Sequence, residues 1–371
     1  MHLSHCRRLG ILVSVLLVVY SALCFGILGR WWRFIVVHDK QINSQTDKNR
    51  QIDRIMKYDR ENRTTSTSLV DNKPIQRHAI PTKNISTMSA TERLSIRRDS
   101  VRKNCVRYQR SLTATEKRIL YAHLVVDEKN KVIWCPVRKA GTTTWRIVML
   151  ILMGKFTNVS AALDHVLHHD FKFMTRLSLQ HYSKEAIEYR LKHYTKFMAY
   201  REPFGRIVSD YRQIKLYNTG FRKGICKAVV SYNNRNLKGN RPAQESNPDA
   251  WKNISFSHFV NFVTQFSGNR KKYQDLDGHW KPTNLICHPC HVDYDYLVDL
   301  DSPDVVEESA HVVKALGAPS WLRVPQENRS GNETKYSFLS QLSTAQFERL
   351  CVQYDDDYEI FGYQHVNQTF R

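Results

Sequence analysis

The stretch 134-WCPVRKAGTTTWRIVML-150 decides the fold, because it connects a β-rich run to an apolar helical run through a short loop. Residues 132–137 have the composition of a strand, and residues 145–153 suit a buried helix. Backbone amides at the start of a helix bind anions, since they lack partners within the helix and the helix dipole is positive there. The stretch therefore predicts a strand, an anion-binding loop and a helix.

The side chains of this loop favour a phosphate-like anion but not nucleotide hydrolysis. Gly141 lets the main chain come close to the anion, and Lys139 supplies a mobile positive charge. Thr142, Thr143 and Thr144 add hydroxyl donors. A nucleotide-hydrolysing P-loop places its lysine after the glycine, directly before Ser or Thr. Because Lys139 precedes Gly141, the order disfavours hydrolysis of a nucleoside triphosphate.

A second strand and helix follow later in the chain. Residues 194–200 form a strand-like run that leads into Arg201, and Pro203 suits the first position of a helix. Two strand–loop–helix units in succession predict an α/β fold with a central parallel sheet flanked by helices. The second helix is indicated by apolar residues three to four positions apart: Phe204, Ile207, Val208 and Tyr211.

The N-terminus predicts a membrane anchor. Residues 9–29 carry no charge and are long enough to cross a bilayer as a helix, with Arg7 and Arg8 before them. A cleaved signal peptide is the competing interpretation, but the run is longer than the usual apolar core of a signal peptide, and the segment 30–33 follows it like an interfacial anchor. We expect a cytoplasmic tail at 1–8, a signal-anchor transmembrane helix at 9–29, a flexible basic stem at 30–110 and a lumenal domain at 111–371.

The chain is strongly basic, with a formal net charge of +21. Such a charge favours polyanionic partners: nucleic acid, an acidic membrane surface or acidic glycans. The stem carries 19 Lys and Arg against 8 Asp and Glu, which fits a solvated spacer, or, alternatively, a segment that recruits a polyanion. Sequons for N-glycosylation suggest a lumenal body and argue against nucleic acid; they begin at Asn62, Asn84, Asn158, Asn253, Asn328, Asn332 and Asn367.

Six cysteines follow the apolar run, and an oxidising lumen would allow them up to three disulfides. The pattern Cys287-His-Pro-Cys290-His291 also resembles half of a zinc site. It has no second cluster at finger spacing, so disulfides are the better interpretation and no metal is expected. The six are Cys105, Cys135, Cys226, Cys287, Cys290 and Cys351.

The loop from Lys139 to Trp145 resembles the 5′-phosphosulfate-binding loop of sulfotransferases, whose donor is 3′-phosphoadenosine 5′-phosphosulfate (PAPS). Arg201, with Ser209 eight positions on, resembles the element of that family that holds the 3′-phosphate. A guanidinium pairs with phosphate through two donors, and a hydroxyl adds a third. The resemblance implies a P-loop-like sulfotransferase fold and a PAPS site made of Arg138, Lys139, Ala140, Gly141, Thr142, Thr143, Thr144, Arg201 and Ser209.

A third stretch narrows the resemblance. His279-Trp280 and the segment 285-LICHPCHVDYD-295 are similar to Golgi carbohydrate sulfotransferases of the chondroitin/dermatan 4-O type. This implies a single-pass type II protein of the Golgi membrane that acts on an acidic glycan, with GalNAc of chondroitin/dermatan-type chains as the expected acceptor. A homodimer is compatible with this organisation. Val137 and Arg138 separate Pro136 from Lys139, where the family usually has Pro-Lys, which leaves the acceptor open.

The resemblance also implies roles in catalysis. Lys139 is expected to neutralise the leaving phosphate, assisted by the loop amides and hydroxyls. His is the natural general base near neutral pH. His169 lies where related glycan sulfotransferases carry a catalytic His, with His168 and His279 as alternatives. In-line displacement by a bound hydroxyl needs no metal.

Two other functions compete with this one. A Golgi glycosyltransferase would share the anchor, stem and sequons and would use a metal-binding Asp-x-Asp string, which occurs at 275–277, 293–295 and 299–301. It leaves the two PAPS-like motifs unexplained. A catalytically silent glycan-binding homologue is the second rival, and the intact Lys139, Arg201 and Ser209 argue against it.

Overall fold

The computed structural model describes residues 88–169, 171–216, 220–236, 253–324 and 332–365. These residues form a central sheet with helices on both faces. The strands are β1 Val125–Asp127, β2 Val132–Cys135, β3 Thr175–Arg176, β4 Thr195–Tyr200 and β5 Tyr296–Asp299. The α-helices are α1 Ala90–Asn104, α2 Ala114–His123, α3 Thr142–Leu152, α4 Val159–His168, α5 Lys184–His193, α6 Pro203–Leu216, α7 Gly220–Asn236, α8 Phe256–Val263, α9 Thr283–Cys287, α10 Val305–Ala315, α11 Asn332–Leu339 and α12 Thr344–Phe361.

The sheet is mixed, and the prediction of a parallel sheet is correct only for three of its five strands. The strand order is β3-β1-β2-β4-β5, in which β2, β4 and β5 run parallel. β1 is antiparallel to both β2 and β3. The reason is a short connection: β1 and β2 are separated by only four residues, and adjacent strands joined so tightly must be antiparallel. Asp127 holds this turn through its carboxylate, which accepts from the amides of Lys129 and Asn130.

Alternate side chains of the strands pack into two cores on opposite faces of the sheet. Trp134 and Phe197 face a core formed with α3, where the Phe197 ring lies 4.9 Å from that of Trp145. Ile133 and Met198 face the second core. Because side chains of a strand alternate with period two, this burial of both faces explains the nearly continuous apolar runs of β2 and β4. It also holds the carboxyl ends of β2 and β4, where the two motifs begin, side by side in the sheet.

The ordered body begins earlier than the predicted boundary at residue 111. Helix α1 starts with a capping box between Ser89 and Glu92 and buries Leu94 and Val101. Cys105 then forms a disulfide with Cys290. The prediction of a flexible spacer is therefore wrong for the C-terminal part of the stem, because this part packs on the body. The predicted tail and the predicted transmembrane helix lie outside the described residues.

Two disulfides join distant parts of the body: Cys105–Cys290 and Cys135–Cys287. The prediction of disulfides at the Cys-His-Pro-Cys pattern is confirmed. Cys226 and Cys351 remain thiols. Cys135 ends β2 and Cys287 ends α9, so the second disulfide ties the strand before the anion-binding loop to the segment that follows His279. Within the described ranges, no helix is both long and apolar enough to cross a membrane.

Candidate active site

The start of helix α3, where the sequence predicts anion binding, has no side-chain cap. Its first intrahelical bond runs from the Trp145 amide to the Gly141 carbonyl, and no side chain caps the amides before it. Six other helices begin with a side-chain cap, from Ser89, Thr113, Asn158, Ser183, Ser255 and Ser343. Helix ends normally use such caps to satisfy their amides. Gly141 in place of a cap leaves the first turn of α3 available for a ligand that brings its own acceptors.

The loop before α3 is held in a strained form. Gly141 and Lys139 both have left-handed backbones, with φ of 65° and 68°. A β-carbon on Gly141 would also lie 3.4 Å from Cδ1 of Trp145 and 3.5 Å from Leu300. A lysine in this conformation is uncommon and costs free energy, and such outliers cluster at functional sites. The Thr142 hydroxyl donates to the Val137 carbonyl at 2.6 Å and thereby closes the loop.

The three threonines of the loop differ in their surroundings. Thr142 is partly buried and its hydroxyl proton is used inside the loop, whereas Thr143 is exposed and Thr144 is buried. Ala140 is buried, and its amide donates to the Val137 carbonyl at 3.1 Å. Direct contact with a ligand is therefore easiest for the backbone of the first helical turn and for the exposed Thr143.

Lys139 joins the two predicted motifs. Its Nζ donates to Oε1 of Gln213 at 2.9 Å. Gln213 lies on α6, one helical turn after Ser209 and on the same face, because residues four apart on a helix are neighbours. The loop lysine and the serine of the second motif are thus brought to one place. Gln213 was not predicted from the sequence. The feature that points to it is its position four residues after Ser209 on the same helix.

Arg201 forms an ion pair with Asp301, and its Nε still lacks a hydrogen-bond acceptor. Its Nε lies 3.4 Å from Oδ1 of Asp301, and this buried Nε makes no hydrogen bond with any part of the described chain. Oδ2 of Asp301 accepts from the Glu202 amide at 2.8 Å. A buried N–H group without a hydrogen-bond acceptor is costly unless a ligand supplies one. This is the arrangement that a phosphate oxygen would complete.

Glu202 fixes the turn between β4 and α6. Its carboxylate accepts from the amides of Phe204 and Gly205 at 3.2 and 2.6 Å, so it caps α6 from inside the protein. Tyr358 also donates to it, and Lys335 lies 3.3 Å away. The cap fixes the backbone directly after Arg201. It also explains why a glutamate follows this arginine.

A histidine–aspartate pair lies beside the anion-binding loop. Nδ1 of His279 is 2.6 Å from Oδ1 of Asp277, whose carboxylate also accepts from the His279 amide at 2.9 Å. Burial raises the pKa of Asp277, but the hydrogen bonds from His279 and the charge of Arg138 outweigh it and hold the pKa below its usual value. Asp277 therefore stays ionised next to a buried imidazole. Asp277 also interacts electrostatically with Arg138 in the loop before α3.

The two other candidate histidines have different surroundings. His169 is exposed at the end of α4, with its ring 4.7 Å from that of His165. Its carbonyl accepts from Arg146, which lies in the second turn of α3. His168 bonds to the Asp164 carbonyl one turn earlier in α4. The ring of His279 therefore has a close aspartate partner, whereas Nδ1 of His168 lies 3.3 Å from Oδ1 of Asp164 and already bonds to the Asp164 carbonyl.

The Asp-x-Asp strings are occupied by contacts within the protein. Asp277 holds His279, and Asp301 holds Arg201 and the Glu202 amide. Asp293 pairs with Arg102, and Asp295 accepts from the Lys196 amide. Each string is explained without a metal ion. Across the residues that the structure describes, no group of three His, Cys, Asp or Glu side chains could hold a metal.

Comparison with known proteins agrees with this geometry. The sequence profile of the sulfotransferase family matches residues 122–364, a range that includes both motifs and His279. The chain belongs to the sulfotransferase family. The resemblance to sulfotransferases is thereby confirmed at the level of the family, and so is the prediction that the chain is an enzyme.

The relatives of this sulfotransferase cover most of its length. It is 29% identical over 283 residues to carbohydrate sulfotransferase 11 of Rattus norvegicus, which covers 73% of this chain and 76% of that protein. Carbohydrate sulfotransferase 11 of Danio rerio is 31% identical over 278 residues, covering 72% and 75%. Carbohydrate sulfotransferase 10 of Rattus norvegicus is 26% identical over 287 residues, covering 74% and 75%. No solved structure gives a significant match.

Asp299, at the end of β5 beside the site, makes stability depend on pH. Burial and the charge of Asp301 raise the pKa of Asp299 to about 6, against a usual value of 3.8. A carboxyl group with a raised folded pKa destabilises the fold only when it ionises, so the cost is absent at acid pH and complete above about pH 6. Asp299→Asn removes this charge and keeps an oxygen that can accept from the Asp301 amide and the Tyr363 hydroxyl.

We expect Asp299→Asn to stabilise the protein by on the order of 2–3 kcal/mol at neutral pH and by close to nothing below about pH 4. Thermal melting of the variant and the wild type across this range measures the difference. A gain that does not change with pH would mean that the amide acts through packing and not through the removed charge.

Proposed function

We propose that this sulfotransferase transfers the sulfonate group of PAPS to a hydroxyl of a glycan, with GalNAc of chondroitin- or dermatan-type chains as acceptor. The observation that carries the proposal is the meeting of the two motifs: Lys139 of the uncapped loop bonds to Gln213, on the helix that carries Ser209. PAPS supplies a sulfonyl group attached to a phosphate that departs as an anion. Every part of that donor that the motifs must hold is therefore negatively charged.

The residues at the site fit this donor. The amides at the start of α3 and the side chain of Lys139 would hold the 5′-phosphosulfate, and the left-handed backbone at Gly141 lets the chain approach it closely. The buried Nε of Arg201, which has no hydrogen-bond acceptor among the described residues, would pair with the 3′-phosphate, with Ser209 adding a hydroxyl. During transfer, Lys139 would neutralise the charge that grows on the leaving phosphate.

His279 is supported as the general base more strongly than His169, which the sequence favoured. When Nδ1 of His279 donates to Asp277, its Nε2 is the basic nitrogen and can accept the proton of the acceptor hydroxyl. Asp277 fixes this tautomer and stabilises the imidazolium that forms. The nearby charge of Arg138 connects the pair to the loop. Among the described residues, the contacts of His169, with His165 and Arg146, do not include such a carboxylate.

The acceptor class rests on the relatives, which are named carbohydrate sulfotransferases, and on the basic surface of the chain. Three positive side chains, Arg138, Arg176 and Lys281, act electrostatically on the partly buried His123, whose ring bonds to the Pro136 carbonyl before the loop. This charge suits a glycan that carries uronate or sulfate groups. The glycosyltransferase alternative is weakened, because the carboxylates of its Asp-x-Asp strings already hold side chains and amides.

We place the protein in the Golgi membrane as a single-pass type II protein with a lumenal body. The support is the uncharged run at 9–29, the two disulfides and two sequons whose asparagines, Asn158 and Asn253, are exposed. If this is right, removal of N-glycans from the full-length protein made in animal cells should lower its mass, and Asn158→Gln with Asn253→Gln should reduce that shift. A full-length protein without any glycan would contradict the lumenal placement.

The function is tested by transfer of labelled sulfonate from PAPS to a panel of desulfated chondroitin, dermatan, heparan and N-glycan acceptors. The full chain should be used, because a fragment that starts at Ser111 would lack α1 and Cys105. We expect product on chains that contain galactosamine. Product only on other glycans would overturn the acceptor, and a folded protein that does not bind PAPS would overturn the function.

A further inference from the structure

A cavity of about 530 Å³ opens in the body, and part of its wall is formed by the segment that follows His279 in the chain. Its walls come from the residues after Cys105, from the 3₁₀-helix Arg270–Asp275 and from α9. This volume is within the range of sites for small ligands. Both disulfides end at α9 or just beyond it, at Cys287 and Cys290, so this wall is covalently fixed to β2 and to the segment after α1.

Two of the residues that line this cavity have a buried amide oxygen without a hydrogen-bond partner. Oδ1 of Asn284 and Oε1 of Gln274 are buried and make no hydrogen bond with the described chain, and Asn284 is only 7% exposed. The backbone of Asn284 is held separately, because its amide donates to Asp357 at 2.8 Å. Buried amides without partners are rare and costly. Sugar hydroxyls, which both donate and accept, would satisfy these groups in either orientation of the amide.

The cavity also carries an excess of positive charge. Four cationic side chains line it, against the two carboxylates of Glu116 and Asp356. Glu116 pairs with Arg110, and Asp356 pairs with Arg270. The remaining two cations are Arg107, which is 82% exposed and 3.8 Å from Glu359, and Lys271, which is exposed and forms no ion pair with the described residues. A ligand that combines hydroxyls with a negative charge matches this lining.

A short segment of the chain links the cavity to the proposed reaction site. Lys281 lies two residues after His279, and its Nζ donates to the carbonyl of Gln274 at 2.8 Å in the cavity wall. Asn284 is five residues from His279, which limits the distance between their α-carbons to about 18 Å. A glycan whose reacting hydroxyl lies at His279 therefore reaches the cavity with sugars close to the reacting one.

We propose that this cavity is an acceptor subsite for an acidic sugar, which carries a carboxylate or a sulfate and lies in the same glycan chain as the sugar that receives the sulfonate. The inference rests on the proposed function. Arg107 and Lys271 bind the negative group, and Asn284 and Gln274 bind the hydroxyls of the ring. The subsite selects acceptors by charge at a distance from the reacting hydroxyl.

The test uses the full-length enzyme with two probes: an unsulfated chondroitin hexasaccharide, and the same hexasaccharide with its carboxylates reduced to alcohols. For Arg107→Ala with Lys271→Ala, we expect KM and Kd for the first probe to rise about tenfold, because two exposed charge contacts are lost. Binding of the reduced probe should not change. Asn284→Ala should weaken both probes, since it contacts hydroxyls. Lys272→Ala is the matched control, because this exposed lysine lies next to Lys271 but outside the cavity.

The outcomes separate the subsite from the function. Binding of 3′-phosphoadenosine 5′-phosphate, the donor product, is measured in parallel. If the double variant binds it normally, transfers sulfonate and shows the same KM as Lys272→Ala, the subsite is wrong and the function stands. A wild type that binds no donor product would overturn the function. A wild type that binds donor product but neither binds nor modifies the acidic probe would overturn the subsite and the proposed acceptor together.

Discussion

Arg201→Ala should weaken binding of 3′-phosphoadenosine 5′-phosphate by about 100-fold, while the protein stays folded. A guanidinium group forms two charge-assisted hydrogen bonds with a phosphate, each worth about 1.5–3 kcal/mol. In the described structure, the buried Nε of Arg201 lies 3.4 Å from Asp301 but makes no hydrogen bond, so we expect the phosphate to supply the acceptor and the contact to be lost with the side chain. Isothermal titration of the full-length protein measures the change. Arg201→Lys should recover only part of the affinity, because it keeps the charge but not the planar fork.

Lys139→Ala should act on the rate more than on donor binding. Lys139 is expected to stabilise charge that grows during transfer, and removal of such a group lowers kcat by about 10²- to 10³-fold. The matched control for both variants is Arg235→Ala, which removes an exposed cation from α7 and should leave binding and rate unchanged. Equal loss in the control would indicate a general effect of charge. Normal donor binding by Arg201→Ala together with normal turnover by Lys139→Ala would contradict the assignment of both motifs.

Much of this site could be predicted because its motifs are local in sequence. The order of Lys139, Gly141 and the threonines, and the spacing from Arg201 to Ser209, can be seen in one dimension. Gln213 could not be found in the same way, since its contact with Lys139 is made only when α6 packs beside the loop. The electrostatic interaction between Asp277 and Arg138 likewise depends on the fold, because the two residues are far apart in the sequence.

The boundary at residue 111 failed for a physical reason. The segment before it is basic and polar, as a stem is expected to be, and only Ala90, Leu94 and Val101 of α1 are buried. A single narrow apolar stripe is a weak signal in a charged helix, and much of the packing comes from ion pairs such as Arg97 with Glu308. The capping box at Ser89 and Glu92 was the available signal for a helix start. The antiparallel pairing of β1 and β2 was not predicted. The four-residue connection of their hairpin contains no Asn-Gly or Asp-Gly pair that would indicate a turn.

His279→Ala should lower kcat by about 10²- to 10⁴-fold, the usual contribution of a positioned acid or base. Asp277→Asn should cause a smaller loss, because it keeps a hydrogen bond to Nδ1 but no longer supplies a negative charge beside the imidazole. Both variants should bind 3′-phosphoadenosine 5′-phosphate like the wild type, since neither side chain belongs to the donor motifs. Rates are measured with donor and acceptor both saturating, so that the chemical step and not binding is compared.

His169→Ala is the decisive comparison, because the sequence favours His169 and the geometry favours His279. His169 is exposed, and its backbone carbonyl, which accepts from Arg146, is unaffected by loss of the ring. We therefore expect His169→Ala to keep a rate within about threefold of the wild type, a change well below that of a lost general base. If His169→Ala instead lost the rate and His279→Ala kept it, the base would lie at the end of α4, and the pair of His279 and Asp277 would be a structural contact beside the loop.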